Sequence, residues 1–506
     1  MLPRCLYLRR CFLYVIGFTC FIFIISNFRH NIGHDTNSAS SSGKERPALK
    51  RPDLPSANAN TQPTAAPRYA ALQKTVVQQS NSILPVEEHE MTLAEIMEDI
   101  ATSDYQPRDQ PKEAAKKSVA GDVSERPWYM KGGSRLPAPA KVSRKTGRRV
   151  ARLWPQEEPA GDRVTNQLMF VPPDNRKKIA NKKILLFNGL GTWGVKAGSE
   201  AFKNCPVDSC TITSNRAESM DADAIFFKDH FVHPGHHKPH RQVWALYFLE
   251  CPYHTQHIKY NDVFNWTATY RRDSDIVAPY ERWEYHDWAV TEWQGPPRDF
   301  TLNKTHKVAW FVSNCAARNN RLQYAQYFIK HIQVDIYGAC GRLNCPRSAA
   351  EKCFEMLDTK YKFYLAFENS NCKDYITEKF FVNGLGRNVL PIVMGAPPED
   401  YEKSAPKHSY IHVDDFESPK QLAEYLHKLD KDDDLYNSYF KWKGMGEFIN
   451  THFFCRVCAM VHDDYPTKSY RDINEWWRGA GVCTSGSWRK SKGWSHNNKV
   501  HETVFQ

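Results

Sequence analysis

Nothing in the sequence accompanies its basic charge with a nucleic-acid signature. There is no zinc-finger spacing and no RNA-binding motif, although 68 Lys and Arg outnumber 57 Asp and Glu for a formal net charge of +11. Nucleic-acid binding is therefore excluded, and the excess reads as solvated runs such as Lys141 to Arg152. Also missing is a small-residue cleavage site behind the uncharged stretch from Cys11 to Phe28, which argues against a secretory leader that is removed. Between about 30 and 165 aromatics are few and prolines scattered (Pro47, Pro52, Pro55, Pro63, Pro67), so that stretch buries too little apolar area to offset its chain entropy. Cys455-Arg456-Val457-Cys458 has no second pair at similar spacing, which disfavours a zinc site; a structural disulfide tying the tail is the expectation.

What is present begins with that apolar run, CFLYVIGFTCFIFIISNF, about 18 residues and close to the minimum for a bilayer-spanning helix. Arg4, Arg9 and Arg10 precede it while Arg29 alone follows closely, so the N-terminus is expected in the cytosol and the rest of the chain across the membrane. Residues 1–10 read as a cytosolic tail, 11–28 as a transmembrane signal-anchor and 29–165 as a disordered stem. In the stem, Thr92 caps a short run in which Leu93, Ile96, Met97 and Ile100 share a helical face. It reads as a transient helix, with homodimer formation through anchor or stem as the alternative. Of 14 Cys, Cys5, Cys11 and Cys20 lie in or beside the anchor. The remaining eleven suit an oxidising compartment, and an odd number leaves at least one thiol unpaired within the chain.

From Lys182 the pattern changes to short apolar runs: Lys182 to Phe187, Ala224 to Phe227, Val243 to Phe248, Val308 to Val312, Val334 to Tyr337, Phe363 to Phe367 and Leu390 to Val393. Helical stretches, Asn320 to Lys330 and Thr377 to Gly384, fall between some of them. Such alternation predicts an α/β fold with parallel sheets. Two successive sets predict two Rossmann-like domains facing a cleft: an acceptor-side domain over 166–300 and a nucleotide-binding domain over 301–430, followed by a C-terminal segment, 431–506.

The most informative stretch is FYLAFENSNCKDYITEKFFVNGLGRNVLPIVMGA, Phe363 to Ala396. A strand runs into a polar turn, and a helix starts near Thr377 with Glu378 and Lys379 in its first turn. Backbone N–H groups and the helix dipole there suit an anion, with Lys379 adding charge and Asn369 and Tyr375 adding hydrogen bonds. On residue pattern alone, an ordinary capped helix after a strand is an equally good account.

This segment closely resembles the donor-binding motif of the α1,3-fucosyltransferases, matched by Phe367-Glu368-Asn369, Tyr375 and Thr377-Glu378-Lys379. ALYFLECPYH (Ala245 to His254), YRRDSDIVAPY (Tyr270 to Tyr280) and WFVSNCAARNNR (Trp310 to Arg321) resemble the same family in the same order. The resemblance covers roughly Lys182 to Cys483 and implies a GT-B fold and inverting transfer of L-fucose from GDP-fucose to the 3-hydroxyl of N-acetylglucosamine (GlcNAc). It places the catalytic base on Glu250. Lewis-type members usually read Glu-Ser-Pro there, whereas this chain reads Glu250-Cys251-Pro252. It also implies that Ser313, Arg321, Asn369, Tyr375, Glu378 and Lys379 contact GDP-fucose, with Arg318 the alternative to Arg321.

The C-x-x-C and the long stem resemble core-type members of the family, so the innermost Asn-linked GlcNAc of N-glycans on glycoproteins is the expected acceptor. An antenna acceptor and a non-catalytic, anchored glycan-binding protein of the same fold are the alternatives. Golgi membrane, type II and lumenal, is the expected location. Asn265-Trp266-Thr267 and Asn303-Lys304-Thr305 are sequons on the lumenal side, making Asn265 and Asn303 the candidate glycosylation sites. Two Asp-x-Asp triplets, Asp221/Asp223 and Asp273/Asp275, and the cluster His233, His236, His237 and His240 raise metal binding. The expectation is no essential metal or other cofactor, with a divalent ion such as Mn2+ acting at most as a stimulant.

Overall fold

The protein is described by a computed structural model covering residues 125–173, 180–464 and 468–489. The expected tail and anchor, the Thr92 helix, and Cys5, Cys11 and Cys20 lie outside the described residues. Among the described residues no helix is long and apolar enough to cross a membrane.

Two five-stranded parallel sheets form the framework. The first consists of Lys182–Leu186 (β1), Cys210–Thr213 (β2), Ala224–Lys228 (β3), Val243–Phe248 (β4) and Trp266–Thr269 (β5), in the order β2-β1-β3-β4-β5. Its register pairs Ile184 with Ala224 and Phe226 with Ala245. Successive residues along a strand enter opposite cores. Ile184, Leu186, Phe226 and Ala245 pack on one face, and Leu185, Ile225, Trp244 and Leu246 on the other. Burial on both faces is why β1, β3 and β4 read as unbroken apolar runs.

After the short strand Trp283–Tyr285 (β6), the second sheet takes His306–Phe311 (β7), Val334–Tyr337 (β8) and Tyr361–Phe367 (β9). Past the two-residue Asn371–Cys372 (β10) come Leu390–Met394 (β11) and Ile411–His412 (β12), and the sheet order is β12-β11-β9-β7-β8. Val308, Trp310, Leu365 and Ile392 face one core, and Ala309, Tyr364, Ala366 and Val393 the other. Two antiparallel ribbons follow from the C-terminal part of the chain: Gly446–Phe448 (β13) pairs with β6, and Cys483–Thr484 (β14) with β10.

The halves are not sealed off along the sequence. The helix Phe453–Val461 packs Val457, Ala459 and Met460 into the first sheet's core, and Ile473 and Trp477 of a later helix pack on its other face. Cys455 is bridged to Cys205 and Cys458 to Cys210, so the C-x-x-C ties the tail by two bonds to the first sheet and none within the motif. Cys315–Cys340, Cys345–Cys353 and Cys372–Cys483 complete the described bridges, and the buried Cys251 is the free thiol among them.

Two expectations need correction. Residues 125–165, read as the end of the stem, are folded: Leu153 and Trp154 are completely buried, Trp154 lies 5.2 Å from Trp266, and its indole donates to Asp463 at 2.8 Å. Their apolar residues are too sparse for a periodic signal, but Tyr129, Met130, Leu153, Trp154 and Val164 find slots in cores built by distant parts of the chain. The sequon at Asn265 is consumed by the fold. Its side chain accepts from Trp244 N at 2.9 Å and Lys238 Nζ at 2.9 Å, its amide donates to Lys468 O at 2.8 Å, and the residue is 7% exposed. A glycan on that nitrogen would need space beside the bond to Lys468 O that a residue 7% exposed does not offer. Asn303, exposed in a left-handed turn, has no such obstacle.

Candidate active site

The C-terminal ends of both sheets' strands deliver the candidate residues to one place. Glu250 lies two residues past β4, and Tyr280 donates to Leu249 O at 3.0 Å, fixing the chain just before it. One carboxylate oxygen of Glu250 accepts from Tyr375 Oη at 2.8 Å, from Cys251 N at 2.7 Å and, more weakly, from Asn369 Nδ2 at 3.4 Å. Asn369 and Tyr375 flank β10 in the segment that follows β9, so two segments more than a hundred residues apart in sequence meet at one carboxylate. Burial, then the charge of Glu250, holds the Tyr375 phenol well above its ordinary range, so it stays a neutral donor.

That segment is built around a residue the motif contains but residue reading did not single out. Glu368 is fully buried, and its carboxylate accepts from Thr377 N at 2.8 Å and Thr377 Oγ1 at 2.9 Å while pairing with Lys379 at 3.3 Å. Burial pushes its pKa up, against the lowering effect of Lys379. Thr377 in turn caps the helical turn Glu378–Phe380 by accepting from Lys379 N. Lys379 also reaches Glu378 at 3.0 Å. Gly395 is required behind this buckle, because a Cβ there would lie 2.6 Å from Glu368 Cγ.

Ser313, at the end of β7, is exposed, with Oγ 3.5 Å from Ala339 N. Arg321 is placed differently from expectation: it is 4% exposed, and its guanidinium donates to Phe367 O at 2.7 Å and Asn314 O at 3.1 Å. It ties the ends of β7 and β9 together instead of pointing into open space. Arg318 is exposed, its guanidinium 5.1 Å from the Tyr253 ring.

Three of the four carboxylates considered for a metal are paired within the protein. Asp275, with no exposure, accepts from Thr267 N and Tyr470 Oη at 2.9 Å each; Asp273 pairs with Arg271 at 2.6 Å; and Asp223 pairs with Lys182 at 2.8 Å. Among the described residues the four histidines of HPGHHKPH form no group able to hold an ion. His254, four residues after Glu250, does adjoin its carboxylate. Its Nδ1 lies 3.4 Å from Cys251 Sγ and 3.5 Å from Glu250 Oε1, and these two neighbours push its pKa up to about 10.

Two family models match the chain: "Fucosyltransferase, N-terminal" over residues 179–281 and "Glycosyltransferase family 10 (fucosyltransferase) C-term" over 301–476. The chain is similar to glycoprotein 3-alpha-L-fucosyltransferase A of Drosophila melanogaster, with 59% identity over 73% of this chain and 76% of the relative. It is 38% identical to alpha-(1,3)-fucosyltransferase C of the same organism, over 54% of this chain and 70% of the relative. A crystal structure of an alpha1,3-fucosyltransferase with GDP-fucose aligns over 59% of this chain and 95% of its own, with a TM-score of 0.38 and 16% identity.

Proposed function

Because the chain belongs to glycosyltransferase family 10, the fucosyltransferases, we propose that it moves L-fucose from GDP-β-L-fucose to the 3-hydroxyl of the innermost Asn-linked GlcNAc of N-glycans. The identity of the 59% identical relative as a glycoprotein 3-alpha-L-fucosyltransferase supports this acceptor class. The observation that carries the reading is the 2.8 Å bond from Tyr375 of the donor loop to Glu250 of the opposite sheet.

In this mechanism the two sheets are the Rossmann-like halves of a GT-B enzyme, with acceptor and donor meeting between them. Glu250 takes the proton of the acceptor hydroxyl as that oxygen attacks the anomeric carbon from the side opposite the phosphate, inverting the centre without a covalent enzyme intermediate. Positive charge develops on the fucose ring and negative charge on departing GDP. Lys379 stabilises the latter, and Glu378 and Ser313 hold sugar or ribose hydroxyls. Arg321 contributes by fixing the strand ends from which Ser313 and Asn369 project. No metal is required in this scheme. In this reading the site faces the Golgi lumen, tethered by residues 11–28, with Asn303 as the glycan-bearing residue.

Glu250→Gln should slow transfer by about 10²–10⁴-fold while GDP binding stays near wild type. Lys379→Ala should instead weaken GDP binding, and wild-type transfer should survive excess EDTA. Transfer by Glu250→Gln at more than about a tenth of the wild-type rate would remove Glu250 as the base.

A further inference from the structure

The residue that departs from the Lewis-type pattern, Cys251, is a thiol wedged between the proposed base and a histidine. Its Sγ lies 3.4 Å from His254 Nδ1 and 3.1 Å from Ser370 Oγ, and His254 Nδ1 lies 3.5 Å from Glu250 Oε1. Sulfur, nitrogen and oxygen of these three side chains all lie within 4.8 Å of one another. A tetrahedral zinc ion, with bonds of about 2.0–2.3 Å, separates neighbouring ligand atoms by about 3.4–3.6 Å. Two of the three separations already have that size.

We propose that Glu250, Cys251 and His254 form a binding site for a soft divalent cation of the zinc class, whose occupancy withdraws Glu250 from catalysis. The cation binding rests on the geometry alone; the inhibition rests also on the reading of Glu250 as base. A thiolate and an imidazole select zinc over magnesium or manganese, which prefer oxygen ligands. Because the ligating forms are thiolate and neutral imidazole, binding is coupled to proton release and tightens as pH rises. The donors that hold the Glu250 carboxylate, Tyr375 Oη and Cys251 N, are placed as outer-shell partners that orient a ligating group. His254 is the exposed member and Cys251 the buried one, so the ion enters from the His254 side and keeps its fourth position for water.

The test uses the full chain titrated with Co2+ as a spectroscopic probe and with Zn2+ in the transfer assay, comparing wild type, Cys251→Ser and His254→Gln. Wild type should show a thiolate-to-cobalt charge-transfer band. Cys251→Ser should lack it, transfer fucose at a basal rate within a few-fold of wild type, and need at least about tenfold more Zn2+ for half-inhibition. His254→Gln should shift cobalt affinity in the same direction. An unchanged band in Cys251→Ser, or zinc inhibition identical in wild type and Cys251→Ser, would overturn the site. A Cys251-dependent band with transfer undiminished by Zn2+ would uphold the site and overturn Glu250 as the base.

Discussion

Asp400, in the first turn of the helix Pro398–Ser404, accepts from Asp374 N at 2.7 Å, and Asp374 faces Arg272 of the first sheet's half. Burial, followed by the charge of Asp374, pushes the Asp400 carboxyl up to about 7. An unfolded aspartate titrates near 3.9, so between about pH 4 and 7 the folded form holds the extra proton. The stabilisation it gives is complete below about pH 4 and is lost as pH rises through 7. Asp400→Asn keeps an acceptor for Asp374 N and cannot acquire the charge. Melting curves of variant and wild type should therefore nearly coincide at pH 4.5 and separate by at least about 2–4 °C at pH 8, with the variant the more stable. Parallel curves at both pH values would show that Asp400 is ionised throughout.

At the scale of the element, the donor loop after β9 is held by one buried carboxylate more than by its helix, which has a single regular turn. Glu368→Ala removes the partner of Thr377 N–H and one of the two carboxylates on Lys379, and the stranded amide alone costs about 1–3 kcal/mol. GDP affinity should fall by at least about tenfold in calorimetry. Glu368→Gln should recover part of the loss, because its amide oxygen still accepts from Thr377 but offers Lys379 no charge. Equal affinities in all three proteins would place the loop's support elsewhere. Strands such as β3, β4, β9 and β11 were legible in the sequence because burial on both faces leaves unbroken apolar runs. Cys210–Thr213 and Trp266–Thr269 were not, since Thr interrupts the run, and two-residue β12 is too short for any period. The meeting of Glu250 with the donor loop was readable through family resemblance, not through spacing. The Glu368 buckle was hidden because a carboxylate's burial is set by the strands around it, and the Asn265 sequon misled because Asn-x-Thr carries no information about accessibility.

For the whole molecule, the folded part reaches back into what composition marks as stem. Arg149 pairs with Asp463 at 2.6 Å and with Glu157 at 3.0 Å, while Trp154 fills the first sheet's core. A secreted fragment starting at residue 125 should therefore be soluble and transfer fucose. One starting at residue 160 discards Trp154, a loss comparable to a Trp→Ala core substitution of about 3–5 kcal/mol, together with Tyr129, Met130 and Leu153. It should be secreted poorly or melt well below the longer fragment. Equal yield and activity of the two would mean that residues 125–159 contribute nothing to stability.

The pairing of Cys205 with Cys455, at a sequence separation of 250, also sets a timetable for biosynthesis. A ribosome adding about 5–20 residues per second needs about 10–50 s to travel between them. For that interval Cys205 and Cys210 have emerged and their partners do not yet exist, while Cys315, Cys340, Cys345 and Cys353 appear in between. The first sheet thus waits with Cys205 and Cys210 unpaired beside the free Cys251, and a premature stop codon anywhere before Cys455 would leave the earliest-made half of the polypeptide without its closing bonds.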